Sequence, residues 1–191
     1  MTPASLPLRN LLAVALLASA SAHASTVNIT LNGAQEAPIP VFTPGLGSGT
    51  FTLNPNNTFS FSITFSGLTS GVTIAHIHGA ATPIGGAGSG APGFNAPPMV
   101  NIVGGTIPAG ISAVGGTTGG TFTGTNVSSP VGFLTALSLG QAYFNIHTSQ
   151  FPNGEIRGNI PAVASVIPLP APALLMLGGL VVLGAAARRK R

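Results

Sequence analysis

The stretch Thr58-Phe-Ser-Phe-Ser-Ile-Thr-Phe-Ser66 decides the fold, because apolar and polar residues alternate along its whole length. Successive side chains of a β-strand point to opposite sides of the sheet, so this stretch has one apolar and one polar face. Thr50-Phe-Thr-Leu53 alternates in the same way, and Asn54-Pro-Asn-Asn57 supplies turn residues between the two. Together they predict a β-hairpin.

Other short strand-like stretches occur on both sides of this hairpin, separated by glycine- and proline-rich turns. They cover residues 27–31, 72–78, 99–103, 117–123, 143–148 and 154–160, with a short helical turn at 133–139 and a long loop over 82–98. No long segment has helical periodicity. The pattern predicts an all-β fold, an antiparallel Greek-key β-sandwich of the superoxide-dismutase or immunoglobulin kind.

Charged residues are concentrated at the ends of the chain. The 191 residues include six Lys or Arg and two Asp or Glu, for a net charge of +4. Most of the positive charge lies in Arg9 and Arg188-Arg-Lys-Arg191, so the body has no basic patch and nucleic-acid binding is not expected. The chain has no cysteine, which excludes disulfides and thiolate chemistry.

The N-terminal residues 1–24 resemble a secretory signal peptide. Arg9 precedes a short apolar run at 11–20, and Ala22-His23-Ala24 fits the small-x-small cleavage rule. An uncleaved membrane anchor is the alternative, but the run is short for a span. Cleavage would remove His23, so it is not expected to be a ligand.

The C-terminal part predicts a membrane anchor. Residues 161–170 form a linker rich in proline and alanine, and residues 171–191 combine an apolar run with the basic tail. The run is of marginal length for a transmembrane helix, and the basic tail would stay cytoplasmic. A buried core helix is the alternative, but it fits a run at the end of the chain poorly. The domain at 25–160 would then be exported and anchored at its C-terminus.

The best candidate site is the histidine pair in Val72-Thr-Ile-Ala-His-Ile-His78. His76 and His78 are two residues apart, so on a strand they share one face, together with Val72 and Ile74.

His147 is expected on the polar face of a second strand. Tyr143 and Asn145 would share that face, with Phe144 and Ile146 in the core. If the two strands pair or face each other, the three histidines can meet.

Two interpretations of these histidines stay open. Neutral imidazole is a good ligand for copper or zinc, so His76, His78 and His147 could hold one ion. Alternatively, the histidines bond backbone carbonyls and only stabilise the sheet.

The three charged residues of the body are interpreted as structural. Glu155 could pair with Arg157 or with His147, and Glu36 with Arg157 is an equally plausible pair.

Enzymatic activity is not expected. The His-x-His strand resembles the copper strand of copper/zinc superoxide dismutase, but a bimetallic site of that kind needs a bridging histidine and an aspartate, and the mature chain has three histidines and no Asp. No Ser-His-acid spacing stands out, and no P-loop is present.

Five ordered motifs give the body a resemblance to the CHRD domain, which is named from chordin and also occurs in exported bacterial proteins. They are Leu31-Asn-Gly-Ala-Gln-Glu36 with Pro38, Phe65-Ser-Gly-Leu68, Ala75-His-Ile-His-Gly79, Tyr143-Phe-Asn-Ile-His-Thr148 and Gly154-Glu-Ile-Arg-Gly158. The resemblance implies a β-sandwich and no established activity.

The tail resembles the PEP-CTERM sorting signal of exopolysaccharide-producing Gram-negative bacteria. Pro168-Leu169-Pro170 stands where the family has Pro-Glu-Pro, ahead of the apolar run and the arginine cluster. The resemblance implies an exosortase-like processing enzyme as partner, and release to the cell surface or matrix.

These observations predict a non-enzymatic, exported surface or matrix protein that acts in binding, adhesion or matrix structure. Extracellular polysaccharide or surface proteins are the expected partners. The alternative function is copper or zinc binding at the cell surface or in the periplasm through the three histidines.

Overall fold

The structure, a computed structural model, describes residues 23–79 and 93–163. Nine strands and one short helix make up this part. In chain order they are β1 Ser25–Asn32, β2 Leu46–Leu53, β3 Thr58–Ser66, β4 Val72–His78, β5 Pro98–Val103, β6 Ile111–Ser112, β7 Gly120–Ser128, α1 Phe133–Ser138, β8 Tyr143–Thr148 and β9 Ile156–Asn159. A single 3-10 turn, Gly33–Gln35, follows β1.

All nine strands belong to one antiparallel sheet in the order β5-β4-β8-β9-β1-β2-β3-β7-β6. The join between β9 and β1 is narrow, since Asn32 and Arg157 are its one paired position. Away from that join, the segment before β7 bonds to β4, with the Val72 amide donating to the Thr117 carbonyl at 3.0 Å. The antiparallel all-β prediction is confirmed, but the strands form one continuous, nearly barrel-shaped sheet and not two separate ones.

The alternation of β3 produces the core that the sequence predicts. Its apolar face lies against an aromatic cluster in which ring centroids are 5.0 Å apart for Phe59 and Phe133, and 5.2 Å apart for Phe61 and Phe144. These contacts join β3 to α1 and to β8. The predicted hairpin is also present, with eight paired positions between β2 and β3.

Some boundaries differ from the prediction. The strand expected at 117–123 is Gly120–Ser128, and the two-residue β6 has no alternating pattern that could reveal it. Val72 was expected on the histidine face, but it packs in the core with Ala75 and Ile77. The pairing of β4 with β8 shifts between Val72 and Ile74, and this irregularity reverses the side to which Val72 points.

Several predicted segments fall outside the described residues. These are residues 1–22 of the signal peptide, residues 82–92 of the long loop, and residues 164–191, which include Pro168-Leu169-Pro170 and the transmembrane segment. Within residues 23–79 and 93–163, no helix is long and apolar enough to cross a membrane.

Candidate metal centre

The pairing of β4 with β8 brings the three predicted histidines together. His76 is opposite Asn145, and His147 is opposite Ile74. His147 and His76 are therefore diagonal neighbours on the two strands, offset by two residues. Each histidine offers one ring nitrogen, and the three nitrogens lie within 4.8 Å of one another. The strands therefore pair in the way that the three-histidine interpretation requires.

The imidazole rings surround a common space. Ring centroids are 5.2 Å apart for His76 and His78, 5.3 Å for His76 and His147, and 6.2 Å for His78 and His147. His78 and His147 are buried, whereas His76 is half-buried and gives the cluster its more accessible side.

Two of the rings are oriented by backbone carbonyls. His78 Nδ1 lies 2.8 Å from the Ala96 carbonyl oxygen, and His147 Nδ1 lies 3.0 Å from that of Pro152. A carbonyl oxygen only accepts hydrogen bonds, so each Nδ1 carries the proton and each Nε2 of a neutral ring has a free lone pair. His78 and His147 therefore do bond backbone carbonyls, as the structural interpretation expects. These bonds use Nδ1 and leave the Nε2 atom of each ring unoccupied.

Three buried nitrogens are left without a hydrogen-bond partner among the described residues: His76 Nδ1, His78 Nε2 and His147 Nε2. An unpaired buried polar atom is costly, and three of them in one cluster need an explanation. A metal ion accepting all three lone pairs would satisfy them at once.

The electrostatics keep the rings neutral, as metal ligands must be. Burial lowers the pKa of His78 to about 4, with further lowering by His76, His147 and Arg157 and a partial opposing effect of the bond to Ala96. Burial also lowers the pKa of His76, helped by the charge of His147. The pKa of His147 is lowered by burial, against the bond to Pro152.

The spacing of the nitrogens suits a site that tightens when filled. Nitrogens sharing one tetrahedral zinc lie about 3.3 Å apart, because Zn–N bonds are about 2.0–2.1 Å long. The upper separation of 4.8 Å leaves the cluster somewhat wider than that. Small rotations of the rings, above all of the less buried His76, would close it.

The buried side chains of Tyr143 and Arg157 hold in place the segment that bonds His78. Tyr143 lies on the neighbouring strand, and its hydroxyl accepts the Ala96 amide at 3.0 Å. Arg157 donates to the Phe94 carbonyl at 2.8 Å and holds the same segment in place. The sequence pattern predicts that Tyr143 is on the same strand face as His147. The carbonyls of Ala96 and Pro152 come from loops, and a strand pattern does not predict the backbone geometry of a loop.

The three charged residues lie in different surroundings. Burial raises the pKa of Glu36 to about 7, while Arg157 and, more weakly, hydrogen bonding by the Asn145 side chain and the Ala37 backbone act against that shift. Arg157 is fully buried and also donates to Asn159 Oδ1 at 3.0 Å. Glu155 is fully buried as well, and within the described residues its carboxylate is bonded by threonines and by neither Arg157 nor His147.

Together these features define an antiparallel β-domain with a buried three-histidine cluster. The model of the CHRD domain family matches residues 27–160, so the chain belongs to the CHRD family. No curated protein and no solved structure matches the chain.

Proposed function

We propose that this CHRD domain binds one copper or zinc ion through His76, His78 and His147. The observation that carries the proposal is the convergence on one space of three buried imidazole nitrogens that have no hydrogen-bond partner among the residues described. Imidazole nitrogen suits both metals, and Cu(II) binds such nitrogen sites most tightly of the divalent first-row ions. The role is binding, with no enzymatic step.

The open geometry supports a site that exchanges its ion or keeps a coordination position free. Three protein ligands leave the fourth tetrahedral position to water or to another molecule. The carbonyl bonds to His78 and His147 fix two ligands in advance, which is the usual arrangement behind metal-binding histidines.

The test is metal binding by the full-length protein, measured as metal content and by titration with Cu(II) and Zn(II) against a competing chelator. We expect one ion per chain, and loss of that ion in the double variant His76→Ala/His78→Ala and in His147→Ala. Thr26→Ala, an exposed position on β1, is the control, because it leaves all three histidines of the cluster in place. Absence of stoichiometric binding in a folded wild-type protein, or equal loss in Thr26→Ala, would contradict the proposal.

We also propose that the domain acts outside the cytoplasm, as a cell-surface or matrix protein in binding, adhesion or matrix structure. The signal-peptide-like residues 1–24, the sorting-signal-like tail and the membership of the CHRD family support this. An exosortase-like enzyme would process the chain near Pro168-Leu169-Pro170. A tagged protein should pass from the membrane to the surface or medium in a shortened form; retention in the membrane with an intact tail would rule out such release.

A further inference from the structure

A second candidate site lies in the loop that follows the 3-10 turn. A cavity of about 500 Å³ is lined by residues 36–41 and 150–154, a volume within the usual range of small-molecule sites. Most of the lining is apolar, from prolines and aliphatic side chains. Its polar side chains are those of Glu36, Gln150 and Asn153.

Glu36 gives the cavity an unused hydrogen-bond acceptor. Its side chain is 6% exposed, and Oε2 accepts the Asn145 amide at 3.3 Å, but Oε1 has no partner among the described residues. Gly154, which also lines the cavity, lies directly against Oε1, because a Cβ at this glycine would be 2.8 Å from that oxygen. A ligand that donates a hydrogen bond here would satisfy a costly buried atom.

The other lining groups narrow the chemistry of that ligand. Phe151 is half-buried and offers an aromatic ring whose electron-rich face attracts polarised C–H groups. Gln150 and Asn153 are exposed amides that both donate and accept hydrogen bonds. The positive charge of Arg157 already acts on Glu36, which disfavours a cationic ligand.

We propose that this cavity binds a neutral sugar residue, with one face of the pyranose ring against Phe151 and its hydroxyls on Glu36, Gln150 and Asn153. The aromatic ring takes the C–H face, and the three polar side chains set the orientation. The cavity adjoins the histidine cluster, because the carbonyl of Pro152, which lines it, is bonded to His147 Nδ1. None of the three side chains that would contact the sugar hydroxyls is a histidine of the cluster.

The test uses the full-length protein and four probes at millimolar concentration: glucose, galactose, mannose and N-acetylglucosamine. Saturable binding of at least one is expected in calorimetry or ligand-observed NMR. The measurements are made at pH 8, above the pKa of about 7 of Glu36, so that its carboxyl is charged. Phe151→Leu removes the ring and keeps the bulk, and Glu36→Gln removes the charged acceptor; each should weaken binding about tenfold, as expected for one hydrogen bond or ring contact. Ser48→Ala, on the exposed surface of β2, is the control and should bind like the wild type.

Three results would overturn the proposal. One is the absence of saturable binding for all four sugars by folded protein, as judged from its circular dichroism. Another is binding that both variants leave unchanged. The third is binding of n-butylammonium in place of the sugars, which would make the cavity a cation site. Addition of a chelator should leave sugar binding unchanged, which separates this result from the outcome at the histidines.

Discussion

The ring of His78 lies parallel to the ring of Tyr143, with centroids 4.7 Å apart and planes within 6°. On the neighbouring strand, Arg157 covers the same tyrosine, with its Cζ 3.5 Å from the ring centroid. The strand order β4-β8-β9 places Tyr143 between the two. His78 is therefore held by a stack of three side chains as well as by its bond to Ala96.

This stack predicts that Tyr143 positions a metal ligand without touching the ion. Tyr143→Leu should lower metal affinity about 10- to 100-fold, because groups that orient a metal-binding histidine contribute effects of this size. Tyr143→Phe keeps the stack and loses only the hydroxyl contacts to Ala96, so its effect should be smaller. Chelator competition measures both affinities, and a folded Tyr143→Leu protein with wild-type affinity would contradict the prediction.

We expect Glu36 to make the folded protein less stable as the pH rises to neutral. Its pKa is raised from 4.5 to about 7 in the folded protein, so between these values the folded state binds a proton that the unfolded state has released. The contribution of Glu36 is therefore full below pH 4.5 and falls by on the order of 3 kcal/mol by the time the pH passes 7.

Urea unfolding of wild type and Glu36→Gln across this pH range isolates the effect of Glu36. Glutamine does not titrate, so the variant should gain stability relative to the wild type as the pH rises from 4.5 to 8. A stability difference that stays constant with pH would show that Glu36 is not the titrating group.

Glu155 should contribute strongly to stability in the opposite pH range. Its carboxylate accepts Thr43 Oγ1 at 2.5 Å, Thr148 Oγ1 at 2.7 Å, and the amide and hydroxyl of Thr69 at 2.8 and 3.0 Å. Burial alone would raise the pKa of Glu155, but these bonds together outweigh it and lower the pKa. The stabilisation is thus present above pH 4.5 and is lost as the pH falls below it.

Replacement of Glu155 by Gln should cost about 3 kcal/mol of unfolding free energy at neutral pH, because an amide cannot accept all of these donors. Thr26→Ala removes an exposed threonine pair and serves as control, with an expected change within about 0.5 kcal/mol. Denaturant titration gives both values, and similar losses in the two variants would be evidence against a special role of Glu155.

Gly124 lets the aromatic core close over β7. A Cβ at this position would overlap the ring of Phe61. Gly124→Ala should therefore destabilise the protein by about 1–3 kcal/mol through overpacking. If the clash is the cause, Gly124→Ala combined with Phe61→Leu should cost less than the sum of the two single changes; additive losses would exclude it.

The sequence predicts those parts of the fold that follow strict alternation. β3 begins and ends where its pattern does, since a half-buried strand must keep its apolar side chains on one side. β4 and β8 also have the predicted bounds, although every residue of β8 is buried. Irregular positions are beyond such reasoning. The shifted pairing that turns Val72 into the core, and the two-residue β6, arise from contacts between strands that lie far apart in the sequence.

The same distinction applies to the candidate site. Spacing alone places His76 and His78 on one face and predicts His147 as their partner. Spacing does not reveal that Ala96 and Pro152 orient two of the rings, because these residues lie in loops, 18 residues from His78 and 5 residues from His147. Nor does it reveal that Glu155 lies among threonines, because Thr43 and Thr69 lie in loops 112 and 86 residues away.

The threonine-bound Glu155 has a consequence for the environment in which the domain can persist. Its carboxylate bonds to two chain segments that lie 112 and 86 residues from Glu155 in the sequence. In exported domains, distant segments are often linked by disulfides. This chain has no cysteine with which to make one. Hydrogen bonds of this kind are not broken by thiols or oxidants and need no folding catalyst to form. They are lost in acid instead.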